Sequence, residues 1–212
     1  MTINLTEEFV QQHTLMECLK EFNGAHGNTE EQKLKSLEKP FEALAKKMIY
    51  GGYFEISNNG NILYRIYIHT VEFYYHEEEN GDLKDWIVYH RNPIKGAPKP
   101  LFELGTLHSH VSGIDITFEG KHPDNYLYRA SALIRKFKVK EGESDDFIKF
   151  NKPKYASFPD VEGYPTHLYE YLFMKAPLTD IRIQWKDSRF DTVTVKSNSR
   201  INVKNERKWS FS

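Results

Sequence analysis

Arg65-Ile-Tyr-Ile-His-Thr-Val-Glu-Phe-Tyr-Tyr-His76 decides how this chain folds. The stretch holds no Gly or Pro and is rich in aromatic and β-branched side chains, a composition that suits a strand. Glu72 lies near its centre, in the apolar heart of the sequence. A carboxylate on the inward side of such a strand is costly unless it is paired or functional. Buried and positioned, it is a usable general base. On the wet side it would only pair with a Lys or Arg.

Upstream of this strand the periodicity is helical. Phe9, Leu15, Met16, Leu19 and Phe22 predict a helix over 6–22, ended by Asn23-Gly24 and Gly27-Asn28. Thr29-Glu-Glu-Gln32 has the form of a capping box. Apolar positions 34, 37, 41, 44 and 48 follow, and Pro40 predicts a division into two helices, 30–38 and 40–49. After Gly51-Gly52 the period becomes two. Asn58-Asn-Gly-Asn61 predicts a tight hairpin between a strand at 53–57 and the long strand from Ile62 to Tyr75. A turn at 79–82, a strand at 86–90 and a Pro-rich loop at 92–100 come next. Strands are then predicted at 101–110, 113–119 and 127–139, an acidic loop at 141–146, a short helix at 164–174, and strands at 180–186 and 192–197. No repeat or composition break divides the chain. The expectation is one α+β domain, residues 1–212, with 1–50 mainly helical and 51–212 mainly β. Its N-terminal helices should pack on a curved, mostly antiparallel sheet.

Charge is balanced, 29 basic against 30 acidic residues, which excludes a broad basic coat. It leaves room for a local basic face, for which Lys95, Lys99, Lys121, Lys136 and Lys138 are candidates. The single cysteine, Cys18, excludes a disulfide framework and a Cys-based zinc site within the chain. No apolar run is long enough for a membrane span and the start carries no secretory pattern. A monomer in the cytoplasm, away from membranes, is the expectation.

Gly105-Thr-Leu-His-Ser-His-Val-Ser-Gly-Ile-Asp-Ile-Thr-Phe-Glu119 carries two histidines, one Asp and one Glu. His108 and His110, two apart in a strand, share a face; Asp115 joins them if the register shifts near Gly113. Such a set can bind zinc or iron, and a metal-dependent hydrolase using His108, His110 and Asp115 is one reading. Histidines hydrogen-bonded within a pocket or a core are another. Arg135, in a strand apolar on both faces, needs an anionic partner, for which Glu72 is the obvious candidate, unless it stands at the strand's emerging end with Lys136 and Lys138. Tyr74, Tyr75, Trp86 and Tyr89 cluster in sequence with His76 and His90, as base-stacking residues or as packing. There is no Gly-rich phosphate loop and no nucleophile elbow.

The order of these features resembles the alkyladenine (3-methyladenine) DNA glycosylase family. The resemblance runs through Leu44-Ala45, Arg65-Ile66, Glu72-Phe73-Tyr74, His90-Arg91-Asn92, Gly105-Thr106-Leu107, Gly113 and Ala132-Leu133-Ile134-Arg135. It closes with Ser199-Arg200-Ile201-Asn202-Val203 and Trp209-Ser210-Phe211. It implies that family's fold and hydrolysis of the N-glycosidic bond of damaged purines in double-stranded DNA, without metal or cofactor. Glu72 would deprotonate the attacking water, and Arg135 would hold that water or the carboxylate. Tyr74 and His110 would sandwich the flipped base, with His90 as a further wall and Gly113 as a point of close approach. Ser112 stands where the family inserts a Tyr into the duplex, and its base-reading Asn has no clear match among Thr117, Phe118 and Glu119. A non-catalytic nucleotide- or partner-binding protein on the same fold is the alternative implied.

Overall fold

A computed structural model describes residues 14–151, 159–174, 181–188, 193–200 and 207–212. Two N-terminal helices, α1 (Leu15–Glu21) and α2 (Glu30–Tyr50), precede a hairpin of β1 (Gly52–Asn58) and β2 (Asn61–Glu77). Asn59 and Gly60 both take positive φ in its turn, as the Asn-Gly pair predicted. Then follow β3 (Leu107–His110), β4 (Gly113–Thr117), β5 (Gly120–Lys121) and β6 (Leu127–Glu141). A short helix, α3 (Pro165–Tyr169), runs into a π-helical turn (Glu170–Met174). β7 (Ile181–Asp187), β8 (Ser197–Asn198) and β9 (Ser210–Phe211) complete the described elements.

The described strands form one nine-stranded sheet with the main order β3-β4-β6-β2-β1-β7, its pairs antiparallel. β2 and β6 pair along most of their lengths and form its spine. The α+β expectation holds. No described helix is long and apolar enough to cross a membrane.

Alternation along the spine separates two chemistries. Phe73, Tyr75 and Glu77 face the helices: Phe73 stacks on Phe41 of α2, and the Tyr75 hydroxyl accepts from the Ala25 amide. Lys33 of α2 closes the top of this layer on Glu77 at 2.8 Å. The residues between them, Glu72, Tyr74 and His76, face the other way. They pair across to Leu133, Ser131 and Arg129 of β6. On that second face Pro165 of α3 packs over Gly113, and the segment 83–104 covers the polar part.

Several expectations need correction. α2 is one helix, not two: Pro40 lies inside it, while Leu37, Phe41, Leu44 and Met48 continue a single buried stripe across the proline. Burial of that stripe, about 1.5–3 kcal/mol per large side chain, outweighs the backbone bond that Pro40 cannot donate. α1 begins at Leu15, capped by Thr14 and Glu17; the start of the predicted helix lies outside the described residues. Residues 86–90 form turns rather than a strand: the Val88 amide donates back to the Asp85 carbonyl and the Arg91 amide to the Val88 carbonyl. Of 101–110 only 107–110 is a strand. The predicted 192–197 strand shrinks to Ser197–Asn198, with 189–192 outside the described residues.

Candidate active site

Glu72 exposes none of its side chain. One carboxylate oxygen, Oε2, accepts from the Tyr74 hydroxyl at 2.9 Å and lies 3.7 Å from Arg135 Nε. The predicted pairing of Glu72 with Arg135 is therefore present. It arises from register: Glu72 pairs with Leu133, so Arg135 is its diagonal neighbour on the same face. Burial, then the neighbouring Glu72 charge, pushes the Tyr74 hydroxyl far above its ordinary range, so it stays a donor. The Arg200 guanidinium lies 4.9 Å from the Tyr74 ring centre and covers one of its faces.

Three strands away, on β3, stand His108 and His110. His108 pairs directly with Asp115 across the β3–β4 hairpin, so they share a face without the predicted register shift. Asp115 pairs in turn with Leu133. His108, Asp115, Leu133 and Glu72 thus form one row across four strands. Asp115 Oδ2 lies 3.2 Å from His110 Nε2 and 4.0 Å from His90 Nε2. Neither contact has hydrogen-bond geometry: both Nε2 atoms, Asp115 Oδ1, His108 Nδ1 and Ser131 Oγ are buried without a hydrogen-bond partner. Buried polar atoms are almost always satisfied, so these five mark the polar patch of this face. Burial, then the neighbouring His90, lowers the His108 pKa and keeps that ring neutral.

The tautomer of His110 bears on a metal. Its Nδ1 accepts from the Ser112 amide at 3.2 Å, so a neutral ring carries its proton on Nε2. That nitrogen then offers Asp115 a donor and offers a metal no lone pair. Among the described residues, no group of three or more His, Cys, Asp or Glu is arranged to hold a metal ion.

His90 is buried, and its Nδ1 bonds Glu119. Glu119 also accepts from the Phe102 amide at 2.8 Å and from Arg129 at 2.7 Å. Burial pushes the Glu119 carboxyl up, but His90, Phe102 and Arg129 together hold it below its usual range. Arg129 is wholly buried and spends all five donors: on Glu78, Glu119, Asn92 and the carbonyls of Lys99 and Pro100. It fastens segment 83–104 over the polar face. Glu78 passes the network to His76, 3.6 Å away, whose pKa burial lowers to about 4.

Gly113 is a packing residue. Its φ is +144°, and an added Cβ would lie 2.9 Å from both Leu133 and Pro165. The close approach expected there comes from the protein itself, in keeping with the Tyr169 hydroxyl, which donates to the carbonyls of His110 and Gly113. The His110 ring, expected to stack on a base, stacks instead on Tyr89, with ring centres 4.1 Å apart, and on His108, at 5.8 Å. Tyr75 leaves the expected aromatic group, since it faces the helices. Of the candidate lysines, Lys136 reaches Glu162, Lys138 lies over Phe147 and Lys99 donates to the Tyr89 carbonyl.

Sequence reading missed Arg129, Glu78 and Asp85, and singled out Glu119 without a partner. Arg129 carried a signal: like Arg135, it is an arginine in a strand of Ala, Leu and Ile, and the same demand for an anion applied. Asp85 bonds Arg200 at 2.6 Å and Arg207 at 3.3 Å, a union of distant segments that spacing does not announce.

Compared with protein families, with curated proteins and with solved structures, the chain matches none.

Proposed function

We propose that the protein hydrolyses the N-glycosidic bond of a purine-like base in nucleic acid, as a divergent DNA glycosylase. The supporting observation is the buried Glu72 carboxylate, held through one oxygen by Tyr74 and Arg135, on the same sheet face as the unsatisfied atoms of His90, His110 and Asp115. Hydrolysis at an anomeric carbon needs a carboxylate to take a proton from water, and a fixed donor set around the extruded base. In this reading Glu72 is the base. Tyr74 and Arg135 fix its carboxylate. Asp115 and the two imidazoles supply polar contacts to the nucleobase, while Tyr74 offers a ring.

Glu72 has no exposed surface, so a nucleotide reaches it only when its cover moves. That observation favours a second reading, a non-catalytic nucleotide- or partner-binding protein. The two are separated by base release from duplexes carrying hypoxanthine or an alkylated adenine, comparing wild type with Glu72→Gln. Release by wild type and a loss of at least a hundredfold in the variant is expected. No release by wild type would refute the enzyme reading. Equal release by both would remove Glu72 from the mechanism.

A further inference from the structure

Six of the nine exposed large hydrophobic residues among those described lie between residues 86 and 111. Trp86 is 60% exposed, Tyr89 48% and Val111 87%. A groove of about 410 Å³ opens among them, lined by Trp86, Ile87, Tyr89, Pro93, Arg91 and Lys99. Its lining contains two cations and no carboxylate. The nearby Asp85 is buried and already bonded to Arg200 and Arg207, so it does not offset them. The Arg91 guanidinium rests 5.3 Å from the Trp86 ring centre. Lys99 donates to the Tyr89 carbonyl, which places its charge at the groove wall.

The groove connects inward. Tyr89 stacks on His110 at 22°, and His110 stacks on His108 at 29° with centres 5.8 Å apart. A ladder of near-parallel rings therefore leads from the surface towards Asp115. The Tyr89 hydroxyl and Ser112 Oγ, 2.8 Å apart, tie the ladder to the hairpin tip that carries Val111.

We propose that this groove is a stacking platform for single-stranded nucleic acid, which it holds beside the buried site. Exposed rings accept the faces of bases, and every base has one to offer once it is unpaired. In a duplex those faces are already covered by neighbouring bases. Arg91 and Lys99 meet the phosphates between stacked bases. The inference rests on the nucleic-acid reading above and adds to it that the preferred strand is unpaired. A membrane surface is the competing occupant, since Trp, Tyr and Lys also suit a lipid interface.

The test is anisotropy of a labelled twelve-residue oligo-dT and of the corresponding oligo-dA·oligo-dT duplex, titrated with the full chain. Tighter binding of the single strand is expected, with quenching of Trp86 fluorescence. Trp86→Ala should weaken it by roughly 5- to 150-fold, the range of one stacked base, and Trp86→Phe by far less. Lys99→Ala should lower the salt dependence by about one ion. Unchanged melting of the variants controls for folding. Duplex binding as tight as single-strand binding, an unchanged Trp86→Ala, or binding only to phosphatidylcholine–phosphatidylserine vesicles would each overturn the proposal. Glu72→Gln should bind oligo-dT like wild type. Binding without base release would sink the enzyme reading alone, and release without groove binding would sink this one alone.

Discussion

Replacing Arg129 by Met should be the most damaging conservative-sized change in the described structure. The Arg129 side chain has no exposure, nor has Glu119, and Glu78 retains 5%. Met fills much of the volume but donates nothing. Two carboxylates, one amide oxygen and two carbonyls lose their partner at once. Breaking a buried ion pair from one side costs about 3–5 kcal/mol, because the remaining charge must be protonated or hydrated. Glu78 keeps the Asn92 amide, and Glu119 keeps Phe102 and His90, so the loss should stay near that range rather than double it. Against a total stability of about 5–15 kcal/mol this removes a large share. A melting temperature lower by roughly 6–20 °C should follow for a chain of this size. Urea unfolding followed by tryptophan fluorescence measures it. Adding Glu78→Gln and Glu119→Gln to the Met variant should return part of the loss, since no buried charge is then stranded. A loss under about 1 kcal/mol for Arg129→Met would refute the view that this residue holds segment 83–104 in place.

Three further outcomes follow from the geometry. Burial lowers the pKa of His76 to about 4 and also lowers that of His108, so both are neutral when folded. The unfolded chain then binds more protons between its ordinary histidine pKa, about 6.5, and about 4, and stability should fall as pH drops through that window. His76→Gln should flatten the slope; a flat urea midpoint between pH 7 and pH 5 in wild type would contradict this. Gly113→Ala should cost about 1–3 kcal/mol, because φ of +144° is glycine territory and Leu133 and Pro165 leave no room. Gly142→Ala, at φ +50° with its nearest atom 3.6 Å away, should cost less, and calorimetry of the two ranks them. Pro40→Ala should raise stability by about 1–3 kcal/mol by restoring a helical hydrogen bond. A lower melting point would show that the proline ring itself packs.

How far the sequence reached depends on the range of the forces involved. The helical periodicity before Gly51, the Asn59-Gly60 turn and the long strand through Glu72 are local properties, set by side-chain period and backbone sterics. They were enough for an α+β domain. Glu72 with Arg135 was legible too, because a carboxylate and a guanidinium in apolar strands each need a partner. Tertiary structure decided the rest. Only strand register puts Asp115 opposite His108 and in one row with Leu133 and Glu72. Pro40 broke no helix, since the buried stripe beneath α2 outweighed a local preference. Residues 86–90 had a strand's composition, yet no neighbouring strand takes their amides and carbonyls, while Arg129 claims the loop beyond them. Periodicity is written along the chain, whereas hydrogen bonds between segments some tens of residues apart are satisfied only once the chain has closed on itself.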